Sequence, residues 1–265
     1  MTISAKDSAL VERIRAAGKL AVAFSGGVDS TYLVYKAHEV LGDDCLAVTV
    51  RSQVLTADEY ARTEDFCKAH GIKHIVIDFD VFTTPLFASN PPDRCYHCKR
   101  NIFEHIMAAA PGYIVADGSN TDDTGDYRPG MKALKELGII SPLMDSGLSK
   151  ADIRLLSKEA GLSTWDHPSA ACLASRFAYG EEITADGLKR VAAAEKFIKK
   201  LGYSGIRVRV HGDIARIEAS AEDIPSLADK EKRSLLSAEL KRLGYKYITL
   251  DLDGYRTGSM NEVLK

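Results

Sequence analysis

Three groups of residues carry atoms that could do chemistry. Ser25-Gly26-Gly27-Val28-Asp29-Ser30 lies between an apolar strand-like run ending at Phe24 and a helical pattern opening near Val28. Glycines there let the backbone turn tightly and aim several N–H groups at one point, to which the helix adds its positive end. Such a turn suits a phosphate or pyrophosphate, with Asp29 acceptable beside it when Mg²⁺ bridges the two. A plain strand-to-helix turn capped by a serine has the same local grammar, and the loop lacks the terminal lysine of a Walker motif. The second group is Cys95 and Cys98, spaced C-x-x-C, with Cys172 far downstream. Spacing alone leaves a zinc half-site, a redox pair and an iron–sulfur cluster open. A [4Fe–4S] cluster on three cysteines would leave one iron without a protein ligand. The third group is Arg207 and Arg209, which alternate along one strand and so share a face. Two guanidinium forks are shaped for phosphate or carboxylate; a solvated edge-strand face is the plainer alternative.

These residues need a scaffold. Leu10, Val11, Ile14 and Ala17 predict a helix stopped by Gly18. Residues 20–24, 45–50, 73–79 and 113–116 read as short strands. Between and after them run helical patterns: one through Leu33, Val34, Ala37 and Leu41, one from a Thr56/Glu59 capping box to about His70, one from near Cys98 to Ala109, and one from Ser149 and Asp152 to Gly161. Strands alternating with helices predict an α/β fold, a parallel twisted sheet with helices on both faces. Beyond Trp165 the pattern changes to two helix–Leu-Gly-Tyr–strand units, at Leu201-Gly202-Tyr203 and Leu243-Gly244-Tyr245. The expected organisation is a first domain over residues 1–165 and a smaller C-terminal α/β domain over 166–265.

Composition removes whole classes of function. With 45% hydrophobic and 27% charged residues, the 265-residue chain is neither collagen-like nor largely disordered. Thirty-five basic against 37 acidic residues leave a net charge of −2, without the dominant basic footprint of a nucleic-acid binder. No apolar run approaches the ~20 residues of a membrane span, and the first residues lack a signal-peptide core. A soluble, cytoplasmic protein is expected. Five cysteines in a chain this long do not suggest a disulfide framework. Cys45 and Cys67 read as small buried hydrophobes.

S-G-G-x-D-S directly after the first strand resembles the pyrophosphate loop of the ATP pyrophosphatase (PP-loop) superfamily, whose members cut ATP between its α and β phosphates. Asp117-Gly118-Ser119-Asn120-Thr121-Asp122-Asp123, after the fourth strand, looks like a second element of that family. The resemblance implies an adenine nucleotide alpha hydrolase-like domain. ATP would be held by Ser25, Gly26, Gly27, Asp29, Ser30 and Asp123 with Mg²⁺, Asp29 having a catalytic role, and adenine would meet the backbone near Val50 and Arg51. Further matches are D-Y-R-P-G at 126–130, C-L-A-S-R-F-A-Y-G at 172–180, R-V-R-V-H-G-D-I-A-R-I-E at 207–218 and L-D-L-D-G-Y-R-T-G at 250–258. With them the chain resembles the LarE family of ATP-dependent sulfur transferases, which help make the nickel-pincer nucleotide cofactor of lactate racemase.

That resemblance implies a small-molecule substrate, pyridinium-3,5-biscarboxylic acid mononucleotide, whose carboxylate is adenylated and then converted to a thiocarboxylate. Sulfur would come from a [4Fe–4S] cluster on Cys95, Cys98 and Cys172, or from a sacrificed Cys172. Ser175, Arg176, Arg207, Arg209 and Arg128 would bind substrate. Glu195 and Glu218 would bind metal or pair with these arginines, and Lys99 would reach the nucleotide or stay solvated. The implied partners are a sulfur source and other proteins of cofactor assembly; the implied assembly is a homo-oligomer, by family a hexamer. The competing functions are a tRNA thiolase, an amide-forming synthetase of the same superfamily, and a nucleotide- and zinc-binding module without turnover.

Overall fold

The computed structural model describes residues 1–125, 129–167, 172–256 and 258–264. The chain forms two compact units, Met1–Thr84 with Cys95–Ala170, and Pro85–Arg94 with Ala171–Lys265. The short segment 85–94, placed in the first domain by chain order, thus groups with the second.

In the first unit, α1 (Ile3–Ala17) ends at Gly18 and leads into β1 (Leu20–Ala23). Then come α2 (Val28–Leu41), β2 (Cys45–Arg51), α3 (Ala57–His70) and β3 (Lys73–Asp78). The remaining elements are α4 (Arg94–Ala109), β4 (Ile114–Ala116), α5 (Pro129–Glu136), α6 (Pro142–Asp145) and α7 (Lys150–Glu159). The four strands pair in parallel in the order β3-β2-β1-β4. Strand alternation sorts their side chains to opposite faces. Leu20, Val22, Cys45 and Ala47 pack with Leu10, Ile14, Leu33, Cys67 and Ile153 on one side. Ala21, Leu46 and Val48 pack with Phe103, Ile106 and Leu134 on the other. Both faces are therefore covered, which is why the strands read as continuous apolar runs. Cys45 and Cys67 are buried, and burial pushes each thiol up to about 12.

The local signals act where they stand. Thr56 with Glu59, and Ser149 with Asp152, form reciprocal capping boxes at the starts of α3 and α7; each satisfies backbone donors that a helix start otherwise leaves orphaned. One boundary moves. The helix expected from near Cys98 starts at Arg94, whose guanidinium donates to the Asn90 side chain and to the Ala174 carbonyl at 3.1 Å. Both Cys95 and Cys98 therefore stand on α4, one turn apart.

The second unit contains α8 (Ala185–Lys200), β5 (Arg207–His211), β6 (Ile214–Glu218), α9 (Ile224–Ala228), α10 (Lys230–Arg242) and β7 (Tyr247–Leu250). β5 and β6 are antiparallel, β6 and β7 parallel. The two Leu-Gly-Tyr motifs do the same work twice. Gly202 (φ +96°) and Gly244 (φ +99°) take the left-handed conformation just past α8 and α10, and Tyr203 and Tyr245 are buried behind them. Among the described residues no helix is long and apolar enough to cross a membrane.

Candidate nucleotide site and the arginine cluster

The chain leaves β1 towards β2 on one side and later returns to β4 on the other. The carboxyl ends of β1 and β4 therefore flank a topological switch point, where open parallel sheets bind ligands. The loop at the end of β1 is built tightly. Ser30 Oγ donates to the Gly27 carbonyl (3.2 Å), accepts from the Ser25 N–H (3.3 Å) and lies 3.2 Å from Ser25 Oγ. Gly26 has φ +72°, and a Cβ there would come within 3.1 Å of Thr63 Cγ2, so glycine is required twice over. Gly27 caps α2 without a side-chain hydrogen bond, and a helix start left open in this way suits an anion.

The β4 loop closes on it. A Cβ at Gly118 would lie 3.1 Å from Ser30 N and 3.3 Å from Ser30 Cα, so only glycine lets the two backbones approach this closely. Asp117 accepts from the hydroxyls of Ser119 and Ser141, the latter at 2.6 Å. Asn120 Nδ2 donates to Asp29 at 3.4 Å, and Asp123 accepts the Asn120 N–H at 3.0 Å. Lys150, at the start of α7, forms an ion pair with Asp29. Even so, burial holds the Asp29 carboxyl above its ordinary range; Lys150 opposes this and the Asp123 charge adds to it. Two nearby carboxylates and a helix start suit a Mg²⁺-bound polyphosphate. Gly118→Ala should weaken MgATP binding about ten- to a hundredfold by displacing the β1 loop, with the unfolding midpoint little changed. Calorimetric titration with MgATP checks this, and wild-type affinity would show that the loops need not touch.

Lys99 Nζ stands 3.7 Å from Asp117 Oδ2, and a Cβ on Gly130 would strike its Cδ at 2.7 Å. Lys99 is thus seated against the β4 loop, and Cys98 is its neighbour on α4. Cys95 is exposed and Cys98 half-buried. Two thiols one helical turn apart are a soft donor pair fit for iron or zinc and unsuited to Mg²⁺. Among the described residues, no three or more His, Cys, Asp or Glu side chains form a ready-made metal site.

In the second unit the expected substrate residues come together, but not as a solvated face. Arg176, Arg207 and Arg209 are all buried. Arg176 grips Glu195 through two bonds (2.8 and 3.0 Å), and Glu195 also accepts the Val208 N–H. Arg209 donates to Glu218 (2.7 Å) and to the Ser175 carbonyl (2.9 Å). Glu218 accepts in addition from Arg216 and Ser259, both at 3.1 Å. Ser175 Oγ donates to the carbonyl of Cys172, whose side chain is exposed. Arg207 lies over the Tyr255 ring, 5.2 Å from its centroid. Burial, then the neighbouring Arg176, makes Arg207 easier to deprotonate than an ordinary arginine. Among the described residues, these three buried guanidiniums gather in this unit, and planar cationic forks of this kind suit phosphate or carboxylate.

A family model described as asparagine synthase matches residues 6–97, which include the β1 loop. The chain is 36% identical to pyridinium-3,5-bisthiocarboxylic acid mononucleotide synthase of Lactiplantibacillus plantarum over 99% of this chain and 96% of that one. This chain belongs to the LarE family. It is also 41% identical, over 92% of each chain, to an uncharacterised protein of Synechocystis. A glutamine-hydrolysing GMP synthase chain of Thermoplasma volcanium is 30% identical, but over only 56% of this chain and 53% of its own length. The LarE relationship thus spans nearly the whole chain and so both units, whereas the likeness to GMP synthase covers little more than half of it.

For this LarE chain the structure brings together Ser25, Gly26, Gly27, Asp29, Ser30 and Asp123 in the first unit. Cys172, Ser175, Arg176, Arg207 and Arg209 gather in the second, with Glu195 and Glu218 seated as partners of the arginines. Arg128 lies outside the described residues. Sequence reasoning misses Lys150, because its partner Asp29 is 121 residues away and a lysine after an N-cap looks solvated. It also misses Asn120 as the side chain joining the two loops.

Proposed function

We propose that this LarE-family protein is an ATP-dependent sulfurtransferase acting on pyridinium-3,5-biscarboxylic acid mononucleotide. The close approach of Gly118 to Ser30 supports it most directly, because it joins the β1 and β4 loops at the sheet's switch point, where open parallel sheets bind ligands. A carboxylate is a poor acyl donor, since its leaving group would be oxide. Attack of a carboxylate oxygen on the α-phosphorus of ATP forms an acyl-adenylate and releases pyrophosphate. A sulfur nucleophile then attacks the acyl carbon, the C–O bond to AMP breaks, and a thiocarboxylate remains.

The α2 start and the Ser25 and Ser30 hydroxyls bind the departing pyrophosphate. Asp29 and Asp123 would hold Mg²⁺, which would neutralise charge developing on the phosphates. Lys150 keeps Asp29 in place through their ion pair and adds a positive charge beside the phosphate site. In the second unit, Arg207, with Arg176, Arg209 and Ser175, binds the substrate's phosphate and carboxylates. Arg128 would add another cation. Cys95, Cys98 and Cys172 would hold a [4Fe–4S] cluster, which would supply sulfide when bound; the alternative donor is the Cys172 thiol itself, whose thioester with the substrate would lose the Cys172 Cα proton and break the Cβ–Sγ bond, releasing the thiocarboxylate and leaving dehydroalanine. The second domain would also carry the contacts of a homo-oligomer.

The test is pyrophosphate release from ATP with the pyridinium substrate, made on anaerobically purified protein analysed for iron and sulfide. The expected result is stoichiometric pyrophosphate and thiocarboxylate, with iron and sulfide lost in Cys95→Ala. Intact protein mass after turnover separates the donors, because sacrifice of Cys172 removes the mass of H₂S. Zinc without iron overturns the cluster, and no pyrophosphate with this acceptor overturns the reaction.

A further inference from the structure

Behind the β1 loop, against Gly26, lies a cavity of about 270 Å³ between α2, α3 and the segment after α7. It is lined by Thr31, Arg62, Asp65, Phe66, His70 and Thr164, among others. Three of these leave a buried polar atom without a hydrogen-bond partner: Thr31 Oγ1, Arg62 Nε and Thr164 Oγ1. Thr31 is 0% and Thr164 6% exposed, so neither hydroxyl has bulk water as its partner. Buried polar atoms are rarely left unsatisfied, and three lining one cavity ask for a common occupant.

The charges say which kind. Arg62 and Asp65 stand three residues apart on α3, a spacing at which opposite charges readily pair. Among the described residues, neither forms an ion pair, with the other or with anything else. A polyphosphate would be repelled by Asp65, and a simple cation by Arg62. A zwitterion satisfies both, its carboxylate on Arg62 and the threonine hydroxyls, its ammonium on Asp65. The remaining wall is aromatic, with the Phe66 and His70 rings 4.3 Å apart. We propose that this cavity is a binding site for a free α-amino acid with an aromatic or large apolar side chain, separate from the nucleotide crevice. Its volume, near the lower end of small-molecule sites, suits one such molecule and not a nucleotide.

Saturation-transfer NMR and thermal unfolding with L-phenylalanine, L-leucine and L-methionine test this on the full chain. Two phenyl analogues complete the set: 3-phenylpropionate, which lacks the ammonium, and phenethylamine, which lacks the carboxylate. At least one amino acid should show transfer and raise the unfolding midpoint, with L-phenylalanine the tightest. Each phenyl analogue should bind about tenfold or more weakly. Arg62→Gln should abolish the preference for L-phenylalanine over phenethylamine, and Asp65→Asn its preference over 3-phenylpropionate, both variants keeping the wild-type circular dichroism. Silence from all three amino acids at millimolar concentration overturns the proposal and leaves ordered water in the cavity. Equal binding of 3-phenylpropionate and L-phenylalanine overturns the zwitterion.

Discussion

Asp29→Asn is expected to cut pyrophosphate release about a hundredfold or more while making the ligand-free protein more stable at neutral pH. Both effects come from one carboxylate. The loss follows from removing an ionised oxygen ligand where Mg²⁺ meets phosphate. The gain follows from the direction of the pKa shift. Burial raises the Asp29 carboxyl above 3.8, so the folded chain keeps its proton at pH values where the unfolded chain has already lost it. Stability from this group is present below the ordinary carboxylate pKa and declines as pH rises through the raised value. The asparagine variant lacks that decline. Its advantage in unfolding midpoint should be near zero in acid and grow to a plateau towards neutrality, measured without Mg²⁺ or nucleotide. Parallel midpoint-against-pH curves for the two proteins would show that Asp29 is not held against its preference. Function here is bought with stability, a common arrangement at active sites.

Glu218→Ala should be the most damaging single change in the second unit. Glu218 is 0% exposed and accepts from Arg209, Arg216 and Ser259. Removing it strands the Arg209 guanidinium, and breaking a buried pair from one side costs about 3–5 kcal/mol. That is a large share of the roughly 5–15 kcal/mol that holds a domain together. Urea titration should move the unfolding midpoint accordingly. Arg209→Met combined with Glu218→Leu should recover much of the loss, since a buried pair replaced by apolar side chains is often no less stable. A single variant costing less than about 1 kcal/mol, the value of an exposed pair, would mean that water reaches this carboxylate. The double variant should nevertheless be inactive if Arg209 binds substrate, which separates folding from function.

The first unit is legible in the sequence because its signals are local. Capping residues at Thr56 and Ser149, the glycines at 18 and 26–27, and short β-rich runs each fix their own element. α5 and α6 are not. They are short and follow the turn-rich 117–128 stretch, where periodicity has too few residues to speak. β6 is hidden inside a motif. His211-Gly212-Asp213-Ile214 carries the two-residue Gly-Asp hairpin signal, with Gly212 at φ +57°, between alternating apolar and charged residues. The burial of Arg207 and Arg209 does not follow from alternation, which gives a shared face but not what covers it. The carboxylate that holds Arg209, Glu218, comes from the neighbouring strand, and the ring beside Arg207 comes from Tyr255, well beyond the strand itself. The tight turn of the β1 loop can be read from its own glycines and serines. The Lys150–Asp29 pair cannot, because no local rule links an aspartate in that loop to a helix more than a hundred residues later.

The composition of the second unit sets an order on biosynthesis. Asn90 donates to the Ala178 carbonyl at 2.6 Å and accepts the Gly180 N–H at 2.9 Å, while the Ala88 carbonyl accepts the Ile183 N–H at 2.8 Å. Residues 85–94 leave the ribosome long before those partners exist. Domains tend to complete from the N-terminus during translation, so the first unit can close while this stretch, with the apolar ring of Phe87, waits in solvent. A fragment starting at residue 171 would never receive it. The two units are consecutive in neither chain order nor time of completion, and the C-terminal part of the chain must fold around a segment that has been exposed since the early part of synthesis.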